Sequence, residues 1–173
     1  PAGWDARLFR HDGGEPTLNP NLLSLVAFSR RIGYEKINVT TNARMASYDD
    51  FAEKLVRSGV TSILTSIHGP DAQTHAQNVG VAEAFEQTGA GVRNLVRLAP
   101  EHVELGANIT ITKSNYKKLG AVAELVLELG LRWFNIQFLT PCGRATSASA
   151  PDTAEAAEEA MRVIDAFEDR LKF

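Results

Sequence analysis

The residues best suited to chemistry form one short run, Asp12-Gly13-Gly14-Glu15-Pro16-Thr17-Leu18. The two adjacent glycines have no Cβ atoms, so a ligand can lie directly against the backbone. Glu15 adds a carboxylate that only accepts hydrogen bonds, and Pro16, which lacks an N–H, ends any preceding strand. A carboxylate beside bare backbone at a strand end suits a ligand with an ammonium group. The same run also fits a plain strand-to-helix turn that needs glycine for its shape.

The composition is that of a folded globular protein, with 173 residues, 44% of them hydrophobic and 23% charged, and a net charge of -3. This length predicts one domain over residues 1–173. No basic stretch is interleaved with aromatic residues, and no apolar run approaches the roughly 20 residues of a membrane span. We therefore expect a cytoplasmic protein with no nucleic-acid or membrane partner. Cys142 is the only cysteine, which excludes an internal disulfide and a Cys-rich metal site.

Short β-rich runs alternate with longer helical patterns along the chain, which predicts right-handed βαβ units and a parallel α/β sheet. The predicted strands are Ala6–Arg10, Lys36–Thr41, Ser62–Ser66, Glu104–Ile111 and Trp133–Phe138. The predicted helices are Asn21–Ile32, Asp49–Ser58, Val81–Leu98, Tyr116–Leu129 and Asp152–Leu171, with a polar loop at Gly69–Gly80. Residues typical of helix caps are Gly33, Gly59 and Gly130 at C-termini and Asn115 and Asp152 at N-termini.

Alternation along the strands separates an apolar side from a side of amides and hydroxyls. The polar side holds Asn38, Thr40, Asn42, Ser66, His68, Asn108, Thr110, Asn135 and Gln137. Burying such groups unpaired costs about 1–3 kcal/mol each. We therefore expect an open or partial barrel whose interior holds a polar ligand and water. A sheet with one solvated face is the alternative, which helical connections on both faces of parallel sheets disfavour.

Several of these polar residues cluster at strand C-termini, where parallel α/β folds bind their ligands. They are Glu15, Thr41, Asn42, Ser66, His68 and Thr140. The pattern predicts a ligand site at this end of the sheet.

The motifs, in this order, resemble the radical S-adenosylmethionine (radical SAM) superfamily over nearly the whole chain. Gly13-Gly14-Glu15-Pro16 is similar to the family's Gly-Gly-Glu motif after its second strand, and Thr40-Thr41-Asn42-Ala43 to its Thr-Asn-Gly segment. Thr65-Ser66-Ile67-His68-Gly69 resembles the end of its fourth strand, and Phe138–Ala145 a frequent ending of its sixth. Asn108 falls in the fifth, and Asn115 stands where members often carry Lys-x-Asn.

The resemblance implies a partial TIM-like (β/α)6 barrel of parallel strands with outer helices, its first strand missing here. It also implies a [4Fe–4S] cluster and S-adenosylmethionine (SAM) as cofactors. By resemblance, Gly13, Gly14 and Glu15 bind the methionine amino group of SAM, and Ser66 and Asn108 reach its ribose or carboxylate. Thr41 and Asn42 line the same side, and Leu139 lies near the adenine.

The implied activity is that of an enzyme generating a 5′-deoxyadenosyl radical, which abstracts hydrogen from a substrate. A reductant protein such as flavodoxin or ferredoxin is the implied electron donor. No residue here is assigned as a general acid or base. The substrate is unassigned, with a peptide as a candidate from the segment around His68, itself expected to be a satisfied interior histidine.

Two departures from the family pattern stand out. Ala43 replaces the usual glycine, so its turn must tolerate a Cβ. The Cys-x3-Cys-x2-Cys cluster loop is absent, and Cys142 cannot replace it, because cluster ligation needs several thiolates. We therefore expect the chain to begin just before the family's second strand. Alone, it is expected neither to assemble the cluster nor to cleave SAM.

Two other functions fit parts of the sequence. The first is a metal-dependent hydrolase or isomerase on a TIM-like scaffold, with ligands among His11, Asp12, Glu15, His68, Asp71 and His75. His75, however, is expected to be a surface loop residue. The second is a non-catalytic nucleotide-binding α/β module. The chain has no Walker A sequence, and Gly89-x-Gly91 does not follow a strand as a dinucleotide motif would.

Overall fold

The structure is a computed structural model that describes residues 8–11, 14–140 and 147–173, with only the backbone described at 8–11 and 147. Its strands are β1 (Leu8–His11), β2 (Lys36–Thr41), β3 (Ser62–Ser66), β4 (Glu104–Ile111) and β5 (Trp133–Phe138). They form one parallel sheet in the order β1-β2-β3-β4-β5, the same as the chain order. Strands that are adjacent in the sheet are thus also consecutive in the sequence, as in a barrel wound in one direction. Among the described residues β1 does not pair with β5, so the barrel is open.

The helices between the strands are α1 (Leu22–Arg31), α2 (Asp49–Arg57), α3 (Ala72–Val79), α4 (Ala84–Leu98), α5 (Leu119–Glu128) and α6 (Thr153–Phe167). Short 3-10 turns occupy Pro16–Leu18, Met45–Ser47, Tyr116–Lys118 and Ser147–Ser149. The predicted α/β class is confirmed, and β2 to β5 have the predicted bounds. In β1 the described part runs to His11, one residue beyond the prediction, and residues 6 and 7 lie outside the described residues. No helix of the described part has the length and apolar character needed to cross a membrane.

One prediction about the elements is wrong. The expected loop at Gly69–Gly80 contains α3, which Asp71 caps by accepting a hydrogen bond from the Thr74 N–H at 2.7 Å. Gly80 then ends the helix in a left-handed conformation. The sequence signals for this helix were Asp71 before it and Gly80 after it, which are typical cap residues. The eight residues between them are mostly polar or small, so they show little of the apolar periodicity that predicts a helix.

The helix caps follow the sequence with one exception. Gly33, Gly59 and Gly130 have positive φ angles after α1, α2 and α5, and the Asp152 carboxylate accepts from two N–H groups of α6. Asn115 does not cap the turn that follows it, so that prediction is wrong. Its fully buried amide instead bridges the ends of β3 and β4, donating to the carbonyls of His68 and Thr110 and accepting from the Thr112 N–H.

The core lies between the apolar side of the sheet and the helices. Ile37, Val39 and Ile109 are fully buried in one cluster with helix residues such as Val26 and Leu55. Apolar burial of this kind supplies most of the favourable free energy of folding. The opposite side of the sheet faces away from this core and carries the amides and hydroxyls that the alternation predicted.

Candidate functional site

The polar side of the sheet opens into a cavity of about 490 Å³ at the strand C-termini. This volume lies within the range of small-molecule and cofactor sites. Six of the predicted site residues line it, namely Gly14, Glu15, Thr41, Asn42, Ser66 and Asn108. Thr40, His68, Asn135 and Gln137 from the predicted polar side line it as well. Gly13 lies outside the described residues, and Leu139 is not among the residues that line this cavity.

The Glu15 carboxylate organises one end of the cavity. Its Oε1 accepts from the N–H of Thr17 at 3.0 Å and from the hydroxyls of Thr17 and Thr41 at 2.6 Å each. Its Oε2 accepts from the Asn42 N–H at 2.7 Å. The carboxylate therefore caps the Pro16–Leu18 turn and ties it to the end of β2. Each carboxylate oxygen has two lone pairs, and Oε2 accepts one hydrogen bond from the described residues, so Oε2 retains capacity for one more donor.

Gly14 lies next to this carboxylate and has a left-handed φ of 55°. A Cβ built at this position would meet no atom within 4 Å. The backbone is therefore bare on a side that is open, and Gly14 lines the cavity. Glycine favours this left-handed conformation, and the exposed peptide can contact a ligand.

The end of β2 turns sharply at Ala43, which has a φ of 57° although it is not glycine. The Thr41 hydroxyl accepts from the Ala43 N–H at 3.1 Å, and the Asn42 side-chain oxygen accepts from the Arg44 N–H at 2.9 Å. These bonds hold the left-handed residue in place. The prediction that this turn tolerates a Cβ is confirmed. The Nδ2 group of Asn42 has no hydrogen-bond partner in the described part of the chain.

Amides from β4 and β5 form the floor of the cavity. The Asn108 Oδ1 accepts from the Asn135 Nδ2 at 2.7 Å. Asn108 is only 8% exposed, and its own Nδ2 donates to no residue that the structure describes. A buried amide with one satisfied and one unsatisfied end is costly unless a ligand or water completes it. Asn108 therefore presents a donor to whatever occupies the cavity.

Two histidines form the far wall, and the prediction for one of them is wrong. His75 was expected on a surface loop, but it lies on α3 with 2% exposure and lines the cavity. Its Nδ1 accepts from the His68 N–H at 3.2 Å, and its ring meets the Phe85 ring edge-on. Burial lowers the pKa of His75. Burial, with a smaller effect of His75, lowers the pKa of His68 to about 4.

Arg44 and Thr88 also line the cavity, and the sequence analysis missed both. The Arg44 Nε donates to Gln87 at 2.6 Å, and the Thr88 hydroxyl donates to the Asn42 carbonyl at 2.9 Å. Both contacts join α4 to the turn after β2. Because they depend on how a helix packs against a distant turn, no local sequence signal marked them.

The alternative of a metal-dependent hydrolase gains no support from the described residues, which do not include Asp12 or the side chain of His11. Among the residues that the structure describes, no three His, Cys, Asp or Glu side chains come together as a metal-binding group. The Asp71 carboxylate is engaged by Thr74 and Lys118, and the hydrogen bond from the Thr74 N–H is the main cause that lowers its pKa.

The chain is similar to several characterised proteins, although no family model matches it. It is 30% identical over 143 residues to the AdoMet-dependent heme synthase of Methanosarcina barkeri, covering 83% of this chain and 40% of that protein. It is 30% identical over 131 residues to the protein named "Probable GTP 3',8-cyclase" of Saccharolobus solfataricus, covering 76% and 41%. The chain thus spans about two fifths of the length of these relatives.

Solved structures share the fold. The SAM-bound structure of SuiB from Streptococcus suis superposes with a TM-score of 0.79 at 19% identity, covering 96% of this chain and 38% of that one. Another SuiB structure holds the precursor peptide SuiA, and it superposes with a TM-score of 0.77 at 18% identity over 94% of this chain and 36% of that one. These relatives and neighbours are radical SAM enzymes, whose cofactors are SAM and a [4Fe–4S] cluster. The chain, with its open parallel barrel and a glutamate among the residues that line its cavity, belongs to the radical SAM superfamily.

Proposed function

We propose that residues 1–173 form the SAM-binding core domain of a radical SAM enzyme. The observation that carries this proposal is the Glu15 carboxylate, fixed by four donors at the mouth of a polar cavity of about 490 Å³. Its remaining acceptor position on Oε2, beside the bare backbone of Gly14, suits the amino group of the methionine part of SAM. A charge-assisted hydrogen bond of this kind is roughly twice as strong as a neutral one.

The donors on the cavity floor suit the rest of the same ligand. The Nδ2 of Asn108, which has no partner among the described residues, and the hydroxyl of Ser66 face a cavity that can hold the ribose or the carboxylate. Asn42 adds a further free amide donor at the end of β2. With Gly13, these residues are the binding set of the proposal; we place Leu139 near the adenine on the family resemblance alone.

The cluster of the family does not fit this stretch of sequence. A [4Fe–4S] cluster needs several thiolates, whereas the chain has one cysteine, Cys142, which lies outside the described residues. We therefore assign no reaction step to residues 1–173. For the whole enzyme we propose a 5′-deoxyadenosyl radical that abstracts hydrogen from a substrate. A flavodoxin- or ferredoxin-like protein is the proposed reductant.

The substrate of the whole enzyme is a separate question, because the relatives have different activities by name. A peptide is supported by the fold shared with SuiB, which has been captured with a precursor peptide. The two histidines and Arg44 on the cavity wall are the residues that would meet a substrate beyond SAM.

Calorimetric titration tests the proposed binding. We expect one SAM to bind per chain and ATP to give no heat of binding. Tight binding of ATP without binding of SAM would favour the nucleotide-binding module instead.

Asn108→Leu should weaken SAM binding by about tenfold, the value of one hydrogen bond to a ligand. The control Asn21→Leu alters an exposed amide, before α1, that makes no capping hydrogen bond and that the cavity does not include.

A further inference from the structure

The inner nitrogens of His68 and His75 both accept hydrogen bonds from backbone N–H groups. The Thr110 N–H donates to the Nδ1 of His68 at 3.4 Å, and the His68 N–H donates to the Nδ1 of His75 at 3.2 Å. An imidazole nitrogen that accepts carries no proton, so the proton of each neutral ring must sit on Nε2. The fold therefore fixes both histidines in the same tautomer.

The outer nitrogens are thus donors, and neither has an acceptor within the described residues. His75 is only 2% exposed, so its Nε2–H is a buried donor without a protein partner there. Leaving such a group unsatisfied costs about 1–3 kcal/mol, so buried donors are almost always completed by a ligand or water. Both rings line the cavity, and their centroids are 6.0 Å apart.

The charges around the pair favour an anion. Burial keeps both imidazoles neutral, so they act as donors and not as bases. Of the charged side chains that line the cavity, Glu15 already accepts four hydrogen bonds. Arg44 donates only its Nε, to Gln87, and its two terminal nitrogens have no partner in the described structure. Among the described residues the cavity therefore has donors without acceptors, and the Arg44 guanidinium is not paired with a carboxylate.

We propose that His68 and His75 form a two-donor subsite that binds a carboxylate of the substrate through their Nε2–H groups. A carboxylate that accepts two hydrogen bonds of about 2.9 Å each can span two rings whose centroids are 6.0 Å apart. This inference rests on the proposed function, because it takes SAM to occupy the Glu15 end of the same cavity. The histidines are specificity-determining residues and carry no step of the reaction.

The tautomers and the binding can be read from the same experiment on the full chain, using isotopically labelled histidine nitrogens. Long-range proton–nitrogen spectra should show Nε2 protonated in both His68 and His75. Acetate should shift both Nε2 signals in a saturable way, whereas acetamide, its neutral analogue, should not. The exposed His102, at the other end of the strands, is the internal control. Protonated Nδ1 atoms, or equal shifts with acetamide, would overturn the proposal.

Matched variants separate binding from folding. His68→Asn keeps an acceptor at the Nδ1 position for the Thr110 N–H but removes the outer donor. It should therefore keep the thermal midpoint and weaken acetate binding by about tenfold. His68→Gln places an amide donor near the Nε2 position and should recover part of that loss. Acetate binding that is unchanged in His68→Asn would contradict the subsite. If this variant unfolds, the pair His75→Asn and His75→Gln gives the same comparison.

A titration with SAM distinguishes this proposal from the proposed function. If acetate still shifts both histidines in the SAM-saturated protein, the subsite belongs to the substrate. If SAM itself shifts them and blocks acetate, the subsite belongs to the cofactor and the proposal is wrong. If SAM does not bind but acetate shifts both histidines, the proposed function fails while the two-donor site remains.

Discussion

Glu15 is the residue on which the proposed site depends most, because its carboxylate joins the Pro16–Leu18 turn to the end of β2 and lines the cavity. The Glu15→Gln substitution replaces one carboxylate oxygen, an acceptor, by an NH₂ group, which is a donor and would face the donors that the oxygen now accepts from. Glu15→Gln should therefore lower the free energy of unfolding by about 1–3 kcal/mol and weaken SAM binding. Urea unfolding and calorimetry measure the two effects. Glu158→Gln, an exposed position on α6, is the control and should change neither.

If Glu15→Gln leaves both stability and SAM binding intact, the carboxylate does not tie the Pro16–Leu18 turn to the end of β2. In that case the cavity mouth would have to be organised by Thr41 and Asn42 alone. Loss of stability with unchanged SAM binding would assign Glu15 a purely structural role.

His68 predicts a dependence of stability on pH. The pKa of His68 is about 4 in the folded protein, against 6.5 for an ordinary histidine. Between these two pH values His68 is therefore protonated in the unfolded chain but neutral in the folded protein. Stability should therefore fall as the pH falls, by about 2 kcal/mol between about pH 7 and about pH 5. Urea unfolding at both pH values measures the change.

The same measurement on His68→Asn isolates this contribution. The slope should become shallower but not vanish, because burial also lowers the pKa of His75. An equal slope in His68→Asn would show that other groups cause the acid sensitivity.

At the scale of elements, α4 lies unusually close to the turn after β2. A Cβ at Gly91 would overlap the Ala43 carbonyl oxygen and lie 3.2 Å from the Ser47 N. Gly89, two residues earlier, has only Arg93 side-chain atoms near, at 3.6 Å. Gly91→Ala should therefore destabilise the protein and weaken SAM binding, because the Asn42–Arg44 segment must move. Gly89→Ala should stabilise it by up to about 1 kcal/mol, since alanine favours a helix.

Thermal and urea unfolding of this pair test the packing directly. If both variants stabilise the protein, α4 and the Ala43 turn do not touch as described. Equal SAM affinity in the original chain, Gly91→Ala and Gly89→Ala would show that the packing of α4 against the Ala43 turn does not affect SAM binding.

The elements also show what could be read from the sequence. The strands were predictable because apolar and polar residues alternate in β2, β4 and β5, and because glycines end α1, α2 and α5. α3 was missed because its residues are mostly small or polar. The burial of its one aromatic side chain, His75, depends on packing against Phe85 of α4. One buried residue does not create a repeating apolar pattern, so the sequence alone could not indicate this helix.

The site was predictable to the same extent. Gly14, Glu15, Asn42 and Asn108 could be found since strand ends and alternation place them. The contacts of Arg44 with Gln87 and of Thr88 with Asn42 join segments more than forty residues apart. Asn115 was misread because local spacing fits a cap, whereas its partners come from two strands.

At the scale of the whole molecule, the open barrel provides a cofactor cavity but not the thiolates of a cluster. Anaerobic reconstitution with iron and sulfide should therefore give no stoichiometric iron–sulfur absorbance with residues 1–173 alone, and no SAM cleavage. A longer polypeptide that supplies three cysteines in the family spacing should give both. A stoichiometric cluster on residues 1–173 would refute this prediction, since one cysteine cannot ligate it.

The central claim is that SAM binds at the C-terminal ends of the strands, with its amino group at Glu15. The most direct test is a proton–nitrogen correlation spectrum of the chain titrated with SAM. The account predicts saturable shifts at the amides of Gly14, Asn42, Ser66 and Asn108. Shifts confined to the opposite end of the strands, around Lys36 and Trp133, or no saturable shifts at all, would contradict it.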